Sequence, residues 1–297
     1  MGSFESLKHR ATPVMKKLLF FTLLIGFYGC SKSADTPDPN GTNTLPIVSA
    51  DNAALGKGQP GVVATAGITD WDNLSMTEKN RIKSWNTIFM HQSVGGDLED
   101  GANNNGFKFA YFDLNEKPNK GLSGNVFGVS NGDPMGKIAK FKQNALAHKS
   151  LINIAIFKFG YADINDGNIE QVKTAYKQMI DDLRAQTSDL RFVHITPPLV
   201  YIVSKDDGNA AKMKVATWMK DTFKDKDVVF DLQAIESNNG ACNLNGVWRI
   251  CDEYRSTASC PSKEQGIDAP EGQGHLCEKA ATRISKAFLM GIYNCGK

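Results

Sequence analysis

From about Trp71 onward, short apolar or β-branched runs alternate with longer stretches in which apolar residues recur every three or four positions. Residues 77–85 read as a helix with Thr77 as its cap, 86–90 as a buried strand and 107–114 as a second extended run. Asp133-Pro134 opens a helix with proline in its first turn, and Met135, Ile138, Phe141 and Ala145 share one face. The almost wholly apolar run 151–159 predicts a strand covered on both sides, and 169–185 a long helix after it. A strand at 191–196 is halted by Pro197-Pro198; 210–223 is helical, 228–231 is a short strand, and a last helix begins near Leu276. Strands alternating with helices predict an α/β protein with a mainly parallel sheet covered on both faces.

The first thirty residues follow another pattern. Lys16-Lys17 precede a twelve-residue apolar run, 18–29, which ends at Cys30. A membrane-spanning helix needs about 20 apolar residues, whereas a basic start, a short apolar stretch and a small residue before the cut describe an export signal. Residues 1–29 are therefore expected to be a leader, with Met15 the more natural start. Phe27-Tyr28-Gly29-Cys30 resembles a bacterial lipobox, which makes Cys30 the expected lipidation site and places the protein in the cell envelope, anchored to a membrane; a plain signal peptide cut nearby is the alternative. Residues 31–60, rich in Ser, Asp, Asn, Pro and Gly, suit a tether. The expected organisation is a leader (1–29), a linker (30–70) and one domain (71–297).

Composition changes the picture in two respects. The 297 residues carry a formal charge of +2, but residues 1–29 hold Lys8, Arg10, Lys16, Lys17 and Glu5, so the remaining chain stands at about −1. With no basic stripe interleaved with aromatics, no nucleic-acid partner is expected. Five cysteines (242, 251, 260, 277 and 295) fall in the last quarter of the chain. An exported chain can oxidise them. Cys277 and Cys295 flank one expected helix, which sets them about 27 Å apart, too far to pair. The expected bonds are Cys242–Cys251 and Cys260–Cys277, with Cys295 free or surface exposed. The spacings offer no zinc site, and no metal or cofactor is expected.

Ligands of an open parallel sheet gather at the carboxyl ends of its strands. The strand ending at Met90 runs into His91-Gln92-Ser93-Val94-Gly95-Gly96, a serine with two glycines beside it, which suits a nucleophile next to backbone amides. The competing reading of such a serine is a helix cap. His275, in Gly274-His275-Leu276, stands just before the last helix, and His194 lies within an apolar strand and reads as a core residue. Asp97, Glu99 and Asp100 read as a solvated acidic helix start.

Taken in order, five pieces of the chain resemble the SGNH/GDSL-type serine hydrolases, in a divergent branch whose first block reads HQSVG. They are 89–95 (FMHQSVG), 128–134 (GVSNGDP), 158–163 (KFGYAD), 194–199 (HITPPL), and 231–237 (DLQAIES) together with 274–276 (GHL). The resemblance implies a three-layer α/β/α sandwich with a mainly parallel, flavodoxin-like sheet, with Ser93 as nucleophile and His275 as base. It also implies an oxyanion pocket that draws on the Ser93 amide, on a glycine such as Gly95 or Gly128, and on Asn131. Where the family's third block carries Asn this chain has Ala162, leaving Asp163 or Asn165 to substitute or Asp163 to be structural. Where the family places an Asp three residues before its His this chain has Gly272, so Glu271 or Asp268 is expected to orient His275. The implied activity is hydrolysis of an extracellular small-molecule or polysaccharide ester, with Trp248 and Tyr254 as candidate walls of a sugar site. The alternative is a silent glycan-binding or surface-assembly protein on the same fold.

Overall fold

The computed structural model describes residues 54–113, 115–203, 208–264 and 273–297. The leader, Cys30 and the tether up to residue 53 lie outside these residues, as do Asp268 and Glu271. The chain opens with β1 (Gly61–Val63), α1 (Ala66–Asn73), α2 (Met76–Asn80) and a 3-10 turn at Arg81–Ser84. There follow β2 (Thr87–His91), α3 (Val94–Asn104), β3 (Ala110–Tyr111), β4 (Leu122–Val126), α4 (Pro134–Ala147) and β5 (Ile154–Phe157). The second half comprises α5 (Ile169–Gln186), β6 (Arg191–Ile195), α6 (Asn209–Phe223), β7 (Val228–Phe230), α7 (Leu232–Glu236), a small hairpin of β8 (Asn243–Leu244) and β9 (Val247–Trp248), and α8 (Glu278–Gly296).

Among the described residues seven strands form one sheet in the order β1-β7-β6-β5-β2-β4-β3, with every neighbouring pair parallel. Every residue of β2 and β5 is buried, as a sheet covered on both faces requires. Successive side chains along a strand point to opposite faces, and two cores result. Phe89, Ile154, Ile156, Val193 and Phe230 join α1, α3 and α8 on one side. Ile88, Met90, Ala155, Phe157, Phe192 and Val229 join α4, α5 and α6 on the other. The protein is thus the expected three-layer α/β/α sandwich. Its inner order, β4-β2-β5-β6-β7, is that of a doubly wound sheet, in which the chain leaves β2 for β4 on one side and later returns to β5 on the other. That reversal makes the carboxyl end of β2 the switch point where such sheets hold ligands.

Several expectations shift in detail. The folded region begins ahead of Trp71: Gly61–Val63 lies in register with Val228–Phe230, a strand too short to leave a periodic signal of its own. The cap of the first predicted helix is Ser75 rather than Thr77, because Ser75 and Glu78 form a reciprocal capping box. Within the extended run 107–114 the strand itself is Ala110–Tyr111, and the Phe112 amide adds a bond to the Gly124 carbonyl of β4. The expected disulfides are present, Cys242–Cys251 with Cα atoms 5.3 Å apart and Cys260–Cys277 with Cα atoms 5.2 Å apart. Cys295 is free but buried, its thiol against the Phe192 carbonyl, and burial pushes its pKa up.

Candidate active site

β2 delivers Ser93 two residues beyond its last member, at the residue before α3. Ser93 holds φ 58° and ψ −121°, in contrast to the extended backbone of an ordinary cap, and its side chain makes no cap hydrogen bond. A positive φ at a residue with a side chain costs about 1–3 kcal/mol and persists only where surrounding contacts impose it. The hydroxyl turns instead to His275, with 2.8 Å between Ser93 Oγ and His275 Nε2. The capping role that a serine at a strand-to-helix turn commonly plays is therefore not the one Ser93 plays.

His275 is held from several directions. Its carbonyl accepts the Ser256 amide at 2.7 Å, and Leu276 bridges Arg255 as an antiparallel partner. The Cys260–Cys277 bond ties the segment to the preceding loop. Its Nδ1 lies 2.8 Å from Asp97 Oδ2, which also accepts the Leu276 amide at 3.0 Å, while Asp97 Oδ1 accepts the Ser262 hydroxyl. A carboxylate accepts hydrogen bonds, so Nδ1 carries the ring proton and Nε2 presents its lone pair to the Ser93 hydroxyl, which donates. Ser93, His275 and Asp97 form an unbroken hydroxyl–imidazole–carboxylate chain.

Asp97 corrects the expectation of a solvated acidic helix start, since it is 1% exposed. Four residues after Ser93, it faces the same side of α3 one turn on. The signal was in the pattern: Val94, Asp97, Leu98, Gly101 and Ala102 share the buried stripe of α3, and an acid on an apolar stripe requires a partner. Glu271 and Asp268, the carboxylates expected to orient His275, lie outside the described residues; the described carboxylate at Nδ1 is Asp97. Of its two acidic neighbours, Glu99 meets the buried His91 at 3.0 Å and Asp100 meets Lys263 at 3.4 Å.

The remaining expected site residues divide. Gly95 is not an available donor, because its amide serves the Gln92 carbonyl, and a Cβ there would lie 2.3 Å from the His91 side chain. It is glycine so that α3 can approach β2. Asp163 is not part of a ligand pocket either. Fully buried, it receives Lys137 Nζ on both oxygens at 2.7 and 2.8 Å, Gly132 N on one and Gly160 N on the other. It thereby locks the loop after β4 to the loop after β5, the structural role left open for it. Gly128 and Asn131 lie on the first of these loops, exposed at the same end of the sheet as Ser93. Asn131 sits over Gly160, where a Cβ would lie 3.6 Å from its Oδ1.

Beneath the serine turn lies Lys158, fully buried at the end of β5, with Nζ donating to the Gln92 and Phe159 carbonyls. Burial lowers its pKa to about 8. This contact fixes the residue before Ser93 from below and was not read from the sequence, where Lys158 passed as part of a motif. Around the mouth, the Tyr161 ring stands edge-on to His275 at 6.3 Å, and the guanidinium groups of Arg249 and Arg255 lie 4.5 and 4.0 Å from the Tyr201 ring centre. Tyr254, a candidate wall, is buried in the core against Arg283, and Trp248 packs over Gly240 in the turn between α7 and β8. No family model, curated protein or solved structure matches the chain.

Proposed function

We propose that the protein is a serine ester hydrolase of the SGNH type, acting on an extracellular ester such as an acylated carbohydrate. The observation that carries this reading is the Ser93–His275–Asp97 chain, with its serine in a strained backbone at the switch point of a doubly wound sheet. A serine hydroxyl becomes a nucleophile when a neutral imidazole stands ready to take its proton and a carboxylate fixes the ring. In this reading Ser93 Oγ attacks the ester carbonyl carbon as its proton passes to His275 Nε2. His275 then protonates the departing alcohol oxygen, which leaves an acyl group on Ser93. Water, deprotonated by His275, attacks that acyl carbon, and the carboxylic acid departs as the Ser93 hydroxyl regains a proton. Asp97 holds the ring and stabilises the imidazolium formed in each half.

The oxyanion of each tetrahedral state needs donors already in place. The Ser93 amide, with Gly128 and Asn131 on the loop after β4, is the donor set assigned to it, and the Lys137–Asp163 pair holds that loop in position. Tyr161 beside His275 offers an aromatic ring suited to a sugar. The lipid anchor at Cys30 and the envelope location belong to the same proposal. A fluorophosphonate probe together with release of p-nitrophenol from p-nitrophenyl acetate tests it. Labelling and turnover that both vanish in Ser93→Ala are expected; a wild-type chain inert to both reagents contradicts hydrolysis and leaves glycan binding on a silent hydrolase fold.

A further inference from the structure

At the end of the sheet opposite Ser93, a cavity of about 330 Å³ opens below the first residues of β6 and β7. Four cationic side chains from four separate parts of the chain line it: Lys57 ahead of β1, Arg184 at the end of α5, Arg191 at the start of β6 and Lys226 before β7. One carboxylate, Asp227, faces them, and it is already engaged by Arg184 and by His194 Nε2 at 2.9 Å. Arg191 is half-buried and donates to the Cys295 and Gly56 carbonyls, which use two of the five N–H groups of its guanidinium. Among the described residues no carboxylate pairs with Lys57 or Lys226, and Ser188 adds a hydroxyl group to the lining. The cavity thus gathers three positive charges beyond those it neutralises. Like charges held around one concavity repel, and an anion placed between them relieves that repulsion.

We infer that this cavity is a binding site for a phosphomonoester group, separate from the ester-hydrolysing centre. The ligand class follows from the arrangement. Donors converge from several sides, and the terminal oxygens of a phosphate point in several directions with a charge near −2, whereas a carboxylate offers two oxygens in one plane. The volume also exceeds that of a bare ion and leaves room for the group that carries the phosphate, in the size range of small-ligand sites. That group comes from one of two sources: a free phosphorylated sugar or the headgroup of an anionic lipid.

Calorimetric titration of the full chain with inorganic phosphate and with glucose 6-phosphate, and co-sedimentation with phosphatidylcholine vesicles with and without phosphatidic acid, test the site and separate the sources. Saturable binding of the soluble probes indicates the free source; binding only to vesicles that contain phosphatidic acid indicates the headgroup. In either case Lys57→Gln combined with Lys226→Gln should weaken binding by about tenfold, the scale of lost charge-assisted hydrogen bonds. The double variant Lys108→Gln with Lys279→Gln, which removes the same charge elsewhere, should leave binding unchanged. Both lysines of the first pair are exposed, so the fold is retained, and hydrolysis of p-nitrophenyl acetate should not change in either variant. Absence of binding to every probe, or equal weakening by the two double variants, overturns the inference.

Discussion

Among the described residues two hydroxyl–imidazole–carboxylate chains differ in where the hydroxyl lies. In one, Ser93 meets His275, which meets Asp97; in the other, the Tyr176 hydroxyl lies 2.8 Å from His194 Nδ1, and His194 Nε2 lies 2.9 Å from Asp227. The order of groups is the same. Yet Ser93 is half-buried on a strained turn at the carboxyl end of β2, whereas Tyr176 and His194 are both 0% exposed, packed among Phe157, Phe192 and Phe223. Burial raises the Tyr176 pKa well above the usual phenol range, so its hydroxyl keeps its proton and donates it to the ring. A catalytic array requires access and a place for the developing charge as well as the three partners. Without them the same constellation is a buried polar brace between α5 and the start of β7.

Substitutions should separate the two chains sharply. Ser93→Ala and His275→Ala are expected to lower kcat for p-nitrophenyl acetate by about 10⁴- to 10⁶-fold. Tyr176→Phe should leave kcat within about twofold, since it removes a brace and no catalytic group. Asp97→Asn should cost about 10⁴-fold in kcat, because an amide can donate to Nδ1 and so favours the wrong tautomer. Ser262→Ala, which removes one donor from Asp97, should cost about tenfold, read as a fall in kcat with KM little changed.

Stability should report the reverse. Asp227→Asn, which leaves Arg184 without its buried carboxylate, is expected to destabilise the fold by about 3 kcal/mol in urea titrations while kcat holds. Tyr176→Phe should cost about 1 kcal/mol. The smallest effect is on pH. Burial lowers the His194 pKa against the opposing pull of Asp227, so below the ordinary histidine value of about 6.5 the unfolded chain binds a proton that the folded chain refuses. Stability should therefore fall as pH drops from about 6.5 toward the folded-state value, and His194→Gln should flatten that slope. Burial alone would raise the Asp227 carboxyl, but the His194 bond and the Arg184 guanidinium hold it below its ordinary value, so its contribution is lost only at more acid pH.

The same contrast explains what the sequence disclosed. Strands buried on both faces, such as 154–157, and helices with a proline start and an apolar stripe, such as α4, are set by local pattern and were legible. Ser93 and His275, 182 positions apart, were legible because each stands at a Gly-containing boundary between elements. His194 read as a core residue and is one. Asp97 was missed because acids near a helix start commonly face solvent, and only the apolar residues sharing its stripe marked it as buried. β1 was missed because its three residues depend on pairing with β7 across most of the chain. The Lys137–Asp163 lock and the Lys158 support were not readable at all, since a lysine becomes buried only where a distant carboxylate or carbonyl meets it.

The most direct test of the account is to find where a fluorophosphonate attaches. The intact chain, treated with the probe and digested, should carry one phosphonyl adduct on the peptide containing Ser93, formed in the wild type and in Tyr176→Phe but lost in His275→Ala. An unmodified Ser93 in a folded wild-type chain, or labelling that persists undiminished without His275, would contradict the assignment of Ser93, His275 and Asp97 as the catalytic array.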